Sequence, residues 1–325
     1  MEQNRALRVG CAAVLCALTL RLFSSGVPAR LRNALLKPDT LAFLTYLETG
    51  RDVRFSPYLE GFSPDFMESP PAATTEPTQP VFSPEEIARV TCASAKEPNL
   101  EALLATPLQW DLTEDVPAVL ILHTHATESY TKTGEDYPET ADYRTAEEEY
   151  NMLSLGAYVA RQLESAGIGV LHDTTLHDYP SYNGSYTRAR KSIRSYLEEY
   201  PSIRLVLDLH RDAVEVSYGQ LRTHARTEQG DCAQLMIVLG TNYETWQDNL
   251  ALGLKLHAQL ERQVPGITRP LQLRASRFNQ DLSPGALLIE IGAAGNTHAE
   301  AMAAAEQLSL AIAALSRGTA QDDSP

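Results

Sequence analysis

The sequence is short of thiols, of basic charge and of long apolar runs. Its 325 residues include four cysteines, at positions 11, 16, 92 and 232, and no two of them form a CxxC pair. That argues against a thiolate zinc site and against a dithiol redox centre. A Cys92–Cys232 disulfide would need a geometry that sequence does not supply, and we expect none. Lys and Arg number 27 against 42 Asp and Glu, a formal net charge of −15. A chain without a basic surface lacks what phosphate binding requires, so nucleic acid is not an expected partner. The acidity itself reads as solubility.

The apolar stretch Val9–Leu20 is shorter than the about 20 residues of a membrane span. Leu7 and Leu22-Phe23 extend it only if Arg8 and Arg21 snorkel to the headgroups. It is a cleaved signal peptide or an uncleaved signal anchor, and the lack of an A-x-A site favours the anchor. A buried N-terminal helix is the plainer alternative. Arg5 and Arg8 ahead of the stretch keep the N-terminus cytoplasmic and put the rest outside. We therefore expect an anchor over 1–24, a membrane-proximal segment and linker over 25–105, a catalytic domain over 106–317 and a tail over 318–325. Between Phe55 and Pro84 prolines recur among Ser, Thr and Glu, a composition that cannot bury enough surface to offset ordering. Ser83-Pro-Glu-Glu then has the form of a capping box with Pro at the first helical position.

From about Pro107 apolar strand-length runs alternate with amphipathic helices. Strands are expected at Ala118–His123, Ile168–His172, Leu205–His210, Gln234–Gly240, Leu271–Ser276 and Ala286–Ile291. Helices are expected after Thr145-Ala-Glu-Glu148, over Tyr186–Leu197, near Trp246–Arg262, and after the capping box Thr297-His-Ala-Glu300. This pattern predicts an α/β fold, a mostly parallel twisted sheet with helices on both faces.

Three of these strands end in reactive residues. Ala118-Val-Leu-Ile-Leu-His-Thr-His-Ala-Thr-Glu128 delivers two imidazoles and a carboxylate, Leu205-Val-Leu-Asp-Leu-His210 another imidazole, and Ala286-Leu-Leu-Ile-Glu290 a lone carboxylate. Open α/β sheets place chemistry at such ends. His125, Glu128 and His210 make two imidazoles and a carboxylate, a set that leaves one position of a tetrahedral zinc open. Glu290 is then the expected acid–base group, its pKa raised by burial. Each signal alone is modest: His-x-x-Glu strings arise by chance, and a strand glutamate is often a salt-bridged core residue. His123 competes with His125, because alternation puts both on one side of the strand, and otherwise either supports the ligands from behind or touches substrate. Glu147 competes with Glu128, although with Glu148 and Glu149 it reads better as helix-dipole stabilisation. Arg211 is expected either to hold a substrate carboxylate or to pair with Asp212. Asn279 and Gln280 are expected to touch a peptide backbone or to shape a turn.

The chain resembles the bacterial stage II sporulation protein P family. The resemblance rests on 123–130, 171–186, Asp208-Leu-His-Arg-Asp-Ala213 and Asn279-Gln-Asp-Leu-Ser-Pro-Gly-Ala-Leu-Leu-Ile-Glu-Ile-Gly292, and spans roughly 107–316. It implies the fold of zinc amidases, close in plan to zinc carboxypeptidases. It also implies a zinc-dependent N-acetylmuramoyl-L-alanine amidase, with cross-link cleavage reported in the family. The implied setting is septal wall thinning during engulfment, outside the cytoplasm, with peptidoglycan as substrate and membrane-anchored engulfment proteins as partners. His125, His210 and Glu290 match the places of the family's ligands and catalytic glutamate. Its carboxylate ligand would be Glu147 by an amidase-like alignment and Glu128 by carboxypeptidase-like logic. A zinc carboxypeptidase, using Arg211 or Arg222, and a wall-binding scaffold without catalysis are the alternatives.

Overall fold

Successive strand residues point to opposite faces of a sheet, and here that parity separates an apolar face from a reactive one. The structure, a computed structural model, describes residues 90–92, 96–108, 110–113, 116–131, 143–216 and 219–316. In chain order the first strands are β1 (Val90–Cys92), β2 (Val119–Leu122), β3 (Val170–His172) and β4 (Leu205–Asp212). Next come two small antiparallel ribbons, β5 (Glu215–Val216) with β6 (Gly219–Gln220) and β7 (Ala225–Thr227) with β8 (Gly230–Cys232). The last strands are β9 (Leu235–Gly240), β10 (Leu271–Arg274) and β11 (Ala286–Ala293). The helices are α1 (Leu100–Ala105), α2 (Met152–Ser165), α3 (Ser185–Glu199), α4 (Trp246–Gln263) and α5 (His298–Ala314).

The main sheet is seven-stranded, in the order β1-β10-β9-β11-β4-β2-β3. All neighbouring pairs are parallel except β11 with β9. The expected mostly parallel sheet is thus two parallel halves running in opposite directions and joined along one antiparallel ladder.

Odd-numbered residues of the central strands, among them Ile121, Leu207, Ile237, Leu273 and Ile289, form the large core with α2, α4 and α5. On the even face Leu120, Leu122, Val206 and Ala286 pack beneath Ala189 and Ile193 of α3. The remaining even positions, over β11 and β9, carry only the small cluster Met236, Val238 and Leu288, flanked by Phe278. Among the described residues, helical cover of the even face, expected throughout, holds only over the β2–β4 half. The uncovered half carries a cavity.

The capping box at Thr297 and Glu300 opens α5, both reciprocal bonds being present. The box expected at Thr145 is not a cap. Glu148–Tyr150 is a single 3-10 turn, and Asn151 caps α2 by accepting from Leu153 N. Asn151 wins because its short side-chain acceptor sits where the first free helical amides point. The strand β1 and the helix α1 fall within 25–105, which composition assigns to a membrane-proximal segment and linker. Instead β1 pairs with β10, and Lys255 on α4 donates to Leu104 O of α1 at 2.6 Å. The proline recurrence stops at Pro84, and the apolar residues after it do not share the linker's character. Cys232 is a buried free thiol, pushed up to about 11 by burial. The expected anchor, proline-rich stretch, Ser83 box and tail lie outside the described residues. Among the described residues no helix is long and apolar enough to cross a membrane.

Candidate active site

The chain leaves β2 at His123 and makes a tight turn instead of continuing as strand. Asp208 on β4 holds the start of that turn, accepting from Thr124 N at 2.7 Å and from Thr124 Oγ1 at 2.6 Å. Asp178 holds its end, accepting from Thr127 Oγ1 at 2.6 Å. Glu128 N donates back to His125 O at 3.1 Å. This one turn brings His125 and Glu128 to the same cavity, which the three-residue spacing anticipated.

The turn also separates the two histidines that alternation left unresolved. His123 stays on the α2 side and is fully buried. Its Nδ1 lies 3.1 Å from Leu209 O and donates there, so its Nε2 accepts from His172 Nε2 at 2.9 Å. Burial and the neighbouring His172 push His123 down to about 3. His123 does not line the cavity, so of the two roles considered for it, support of the neighbouring groups suits its position better than contact with substrate.

A cavity of about 370 Å³ is lined by His125, Glu128, Tyr186, His210, Arg211, Asp212, Ala213, Met236, Val238, Arg274, Ser276, Phe278, Leu288 and Glu290. His210 and Glu290 reach it from within β4 and β11, on the even face, where they are register partners. They do not project from the strand tips. The ring of His210 lies between two carboxylates: Nδ1 is 3.4 Å from Glu128 Oε2 and Nε2 is 2.9 Å from Asp208 Oδ1. Burial opposes its charge, yet these two carboxylates outweigh burial and hold His210 well above the ordinary histidine range. Burial would raise Glu128, but His210, Arg211 and His125 hold it at about 2. Arg211 N and Arg144 each donate to it at 3.2 Å.

His125 stacks on Tyr182, with centroids 4.5 Å apart, and meets His210 edge-on at 5.3 Å. Burial, with His210 and Arg144 adding, pushes it down to about 4 against the pull of Glu128. Its Nδ1 is buried without a hydrogen-bond partner, and so is Glu290 Oε2. Burial, with the Glu128 and Asp212 carboxylates adding to it, pushes Glu290 up to about 8, although His210 and Arg211 oppose. One cavity therefore holds a carboxylate kept ionised and another kept largely protonated, the separation that divides acid–base roles.

For a zinc ion the donor chemistry fits. Two imidazoles bound at about 2.05 Å to one tetrahedral ion have centroids about 5 Å apart, close to the 5.3 Å seen for His125 and His210. The unpartnered His125 Nδ1 and the carboxylate of Asp208 behind His210 suit the carboxylate–histidine–metal arrangement. Among the described residues no three His, Cys, Asp or Glu side chains are already drawn together as a coordination group.

The remaining predicted site residues fall elsewhere or do other work. Arg211 borders the cavity, but its side chain donates to Ser129 O and Tyr143 O, both at 2.9 Å. It holds neither a free carboxylate nor Asp212, which pairs with Arg269 at 2.7 Å. Arg222 pairs with Glu300. Asn279 donates to Tyr186 O and Gln280 to Val238 O, each at 2.9 Å. Both pin the loop before β11 to its neighbours, the turn-forming role weighed against substrate contact. Glu147 is exposed at the start of the 3-10 turn and does not line the cavity.

Sequence reasoning passes over Asp208, Asp178, Arg144 and the tyrosines 182 and 186. Asp208 carries a signal, since a charge two residues before His210 in an aliphatic strand shares its face. The others lie in segments that read as loop, where no period indicates direction.

Among solved structures the chain is similar to the CwlD amidase from Clostridioides difficile in complex with the GerS lipoprotein. The match has 17% identity and a TM-score of 0.39, covering 60% of this chain and 94% of that one. It is also similar to the N-acetylmuramoyl-L-alanine amidase AmiC2 of Nostoc punctiforme, at 14% identity and a TM-score of 0.35, covering 60% and 93%. Among curated proteins it is 29% identical over 206 residues to "Stage II sporulation protein P" of Bacillus subtilis (strain 168), covering 59% of this chain and 49% of the relative. The match thus spans about half the length of that relative. A family model, Stage II sporulation protein P, matches residues 61–313. That span takes in the whole sheet and every residue lining the cavity, and so the chain belongs to the stage II sporulation protein P family.

Proposed function

We propose that this protein is a zinc-dependent peptidoglycan hydrolase that cuts the N-acetylmuramoyl-L-alanine amide in sporulation. The observation that carries the reading is the single cavity joining His125, Glu128 and His210 to a carboxyl group, Glu290, held near neutrality. His125, Glu128 and His210 are the residues that would hold zinc, with Glu128 preferred to the exposed Glu147. Zinc bound there supplies Lewis acidity toward an amide carbonyl and toward water. The Asp208 carboxylate, 2.9 Å from His210 Nε2, keeps that imidazole basic, and Arg211 and Arg144 hold Glu128 in place.

Glu290 is the proton carrier. Its Oε2 has no internal partner to compete for a substrate proton. At about 8 it is mostly protonated alone, and a positive charge in the same cavity favours its ionised, accepting form. It then takes the proton of the attacking water and returns it to the leaving nitrogen. The arginines that sequence offers to a carboxypeptidase, Arg211 and Arg222, are both committed to internal partners, which weakens that alternative. The N-terminal apolar stretch leads us to place the enzyme at a membrane, with its catalytic domain outside the cytoplasm in the septal or intermembrane space, beside engulfment-complex membrane proteins.

The test is digestion of purified sacculi by the zinc-supplemented protein, with metal content measured in parallel. Wild type is expected to release intact stem peptides. Glu290→Gln is expected to retain zinc and lose about 10²–10⁴-fold in rate, whereas His210→Ala and Glu128→Gln lose both and Glu147→Gln loses neither. Release of single terminal amino acids by wild type would replace the amidase with a carboxypeptidase. Full activity of Glu290→Gln would remove the assigned proton carrier.

A further inference from the structure

The cavity has two unlike ends. Its reactive end carries the carboxyl groups of Glu128, Asp212 and Glu290 beside His125, His210 and Arg211. Its other end, over β11 and β9, has an apolar floor of Met236, Val238 and Leu288, bordered by Phe278. Beyond that floor stands Arg274, the last residue of β10, exposed and lining the same cavity. Its backbone carbonyl accepts from Thr241 N and Ser276 N. Its guanidinium has no ion pair or hydrogen bond among the described residues, in contrast to Arg211 at the reactive end.

We infer that Arg274 is a specificity-determining residue that binds a carboxylate of the substrate, so that the peptide side of the scissile bond lies over β9 and β10. This rests on the amide-hydrolase reading above. A guanidinium matches a carboxylate in a paired geometry that a point charge does not reproduce. Arg274 registers with Gly240 on β9, and Glu290 with Met236 on the same strand. Their Cα positions are therefore two strand spacings apart across the sheet and four residues apart along it, about 16 Å in all, a gap that the two side chains and the substrate between them span. The apolar floor between them suits the small alkyl side chain next to the scissile amide, and an acidic residue following it reaches Arg274.

The test uses the zinc-supplemented full chain and two soluble muramoyl peptides. One carries a free carboxylate on the residue after alanine, the other a carboxamide. Wild type is expected to show a KM about ten-fold lower for the acid, with kcat nearly equal for the two. In Arg274→Ala that KM ratio falls to near one, and in Arg274→Lys it is restored in part. Calorimetric titration with the released acidic dipeptide and its amide reads the same preference without turnover. Equal KM values in wild type, or an undiminished ratio in Arg274→Ala, overturns the assignment. If Arg274→Ala does not fold, the wild-type ratio and the Lys variant decide. If wild type cuts neither peptide, the amide-hydrolase reading fails, and the dipeptide titrations on wild type and the Lys variant still decide for or against Arg274.

Discussion

Asp208 shows how a residue away from substrate governs the site. It accepts from Thr124 on the turn that carries His125, and it stands 2.9 Å from His210 Nε2. One carboxylate therefore holds the turn that carries one proposed imidazole ligand and acts by charge on the other. Asp208→Asn keeps the shape but removes the charge that raises the basicity of His210. Zinc affinity is expected to fall about 10–100-fold, read by competition with a chromophoric chelator. His125, Glu128, His210 and Glu290 are legible in the sequence because each interrupts or closes an aliphatic run, where a polar group needs a reason. The fate of His123 is not legible. Whether it points to α2 or to the cavity depends on the residue at which the chain leaves β2, and that is set by Asp208, far away in sequence.

At the scale of elements, α2 meets the sheet through a glycine. A Cβ on Gly156 would collide with Nε2 of both His123 and His172. Alanine favours helix by about 1 kcal/mol, but here His123 is buried and hydrogen-bonded to the half-buried His172 and cannot yield cheaply. Gly156→Ala is expected to destabilise by about 1–3 kcal/mol, seen as a lower midpoint in urea. At the start of α5, His298 approaches Ser154 of α2, at 2.7 Å from its Oγ. Burial holds His298 at about 4 against the ordinary 6.5. Between those values the unfolded chain takes up a proton that the folded chain refuses. Its contribution to stability is therefore intact above about 6.5 and is lost as pH falls toward 4. At pH 5 the loss from this residue is about 2 kcal/mol. His298→Gln is expected to flatten the acid limb of a stability–pH curve measured by urea unfolding. The α5 cap is legible because Thr297 and Glu300 form a reciprocal local pair. The α2 cap is not, because Thr145 and Glu148 imitate that pattern one turn early, where the chain makes only a 3-10 turn.

On the scale of the molecule, alternation of apolar runs is enough to read an α/β sheet. It cannot give strand order or direction, because a buried strand has the same composition running either way. Nor can composition show where the folded unit begins. A fragment 106–325 lacks β1 and α1, exposes the edge of β10 and removes the carbonyl acceptors of the buried Lys255. It is expected to melt several degrees below a fragment 86–325, because an unsatisfied buried amine costs about 1–3 kcal/mol; equal melting temperatures would show that β1 and α1 contribute nothing. The sheet order has a consequence for assembly. Among the sheet strands β11 is the last synthesised, yet it lies between β4 and β9, which have no ladder with each other. The ladder between the two halves therefore runs only through residues 286–293. Because the proposed proton carrier Glu290 sits on that keystone strand, a chain clipped before residue 286 is expected to lack the proposed activity.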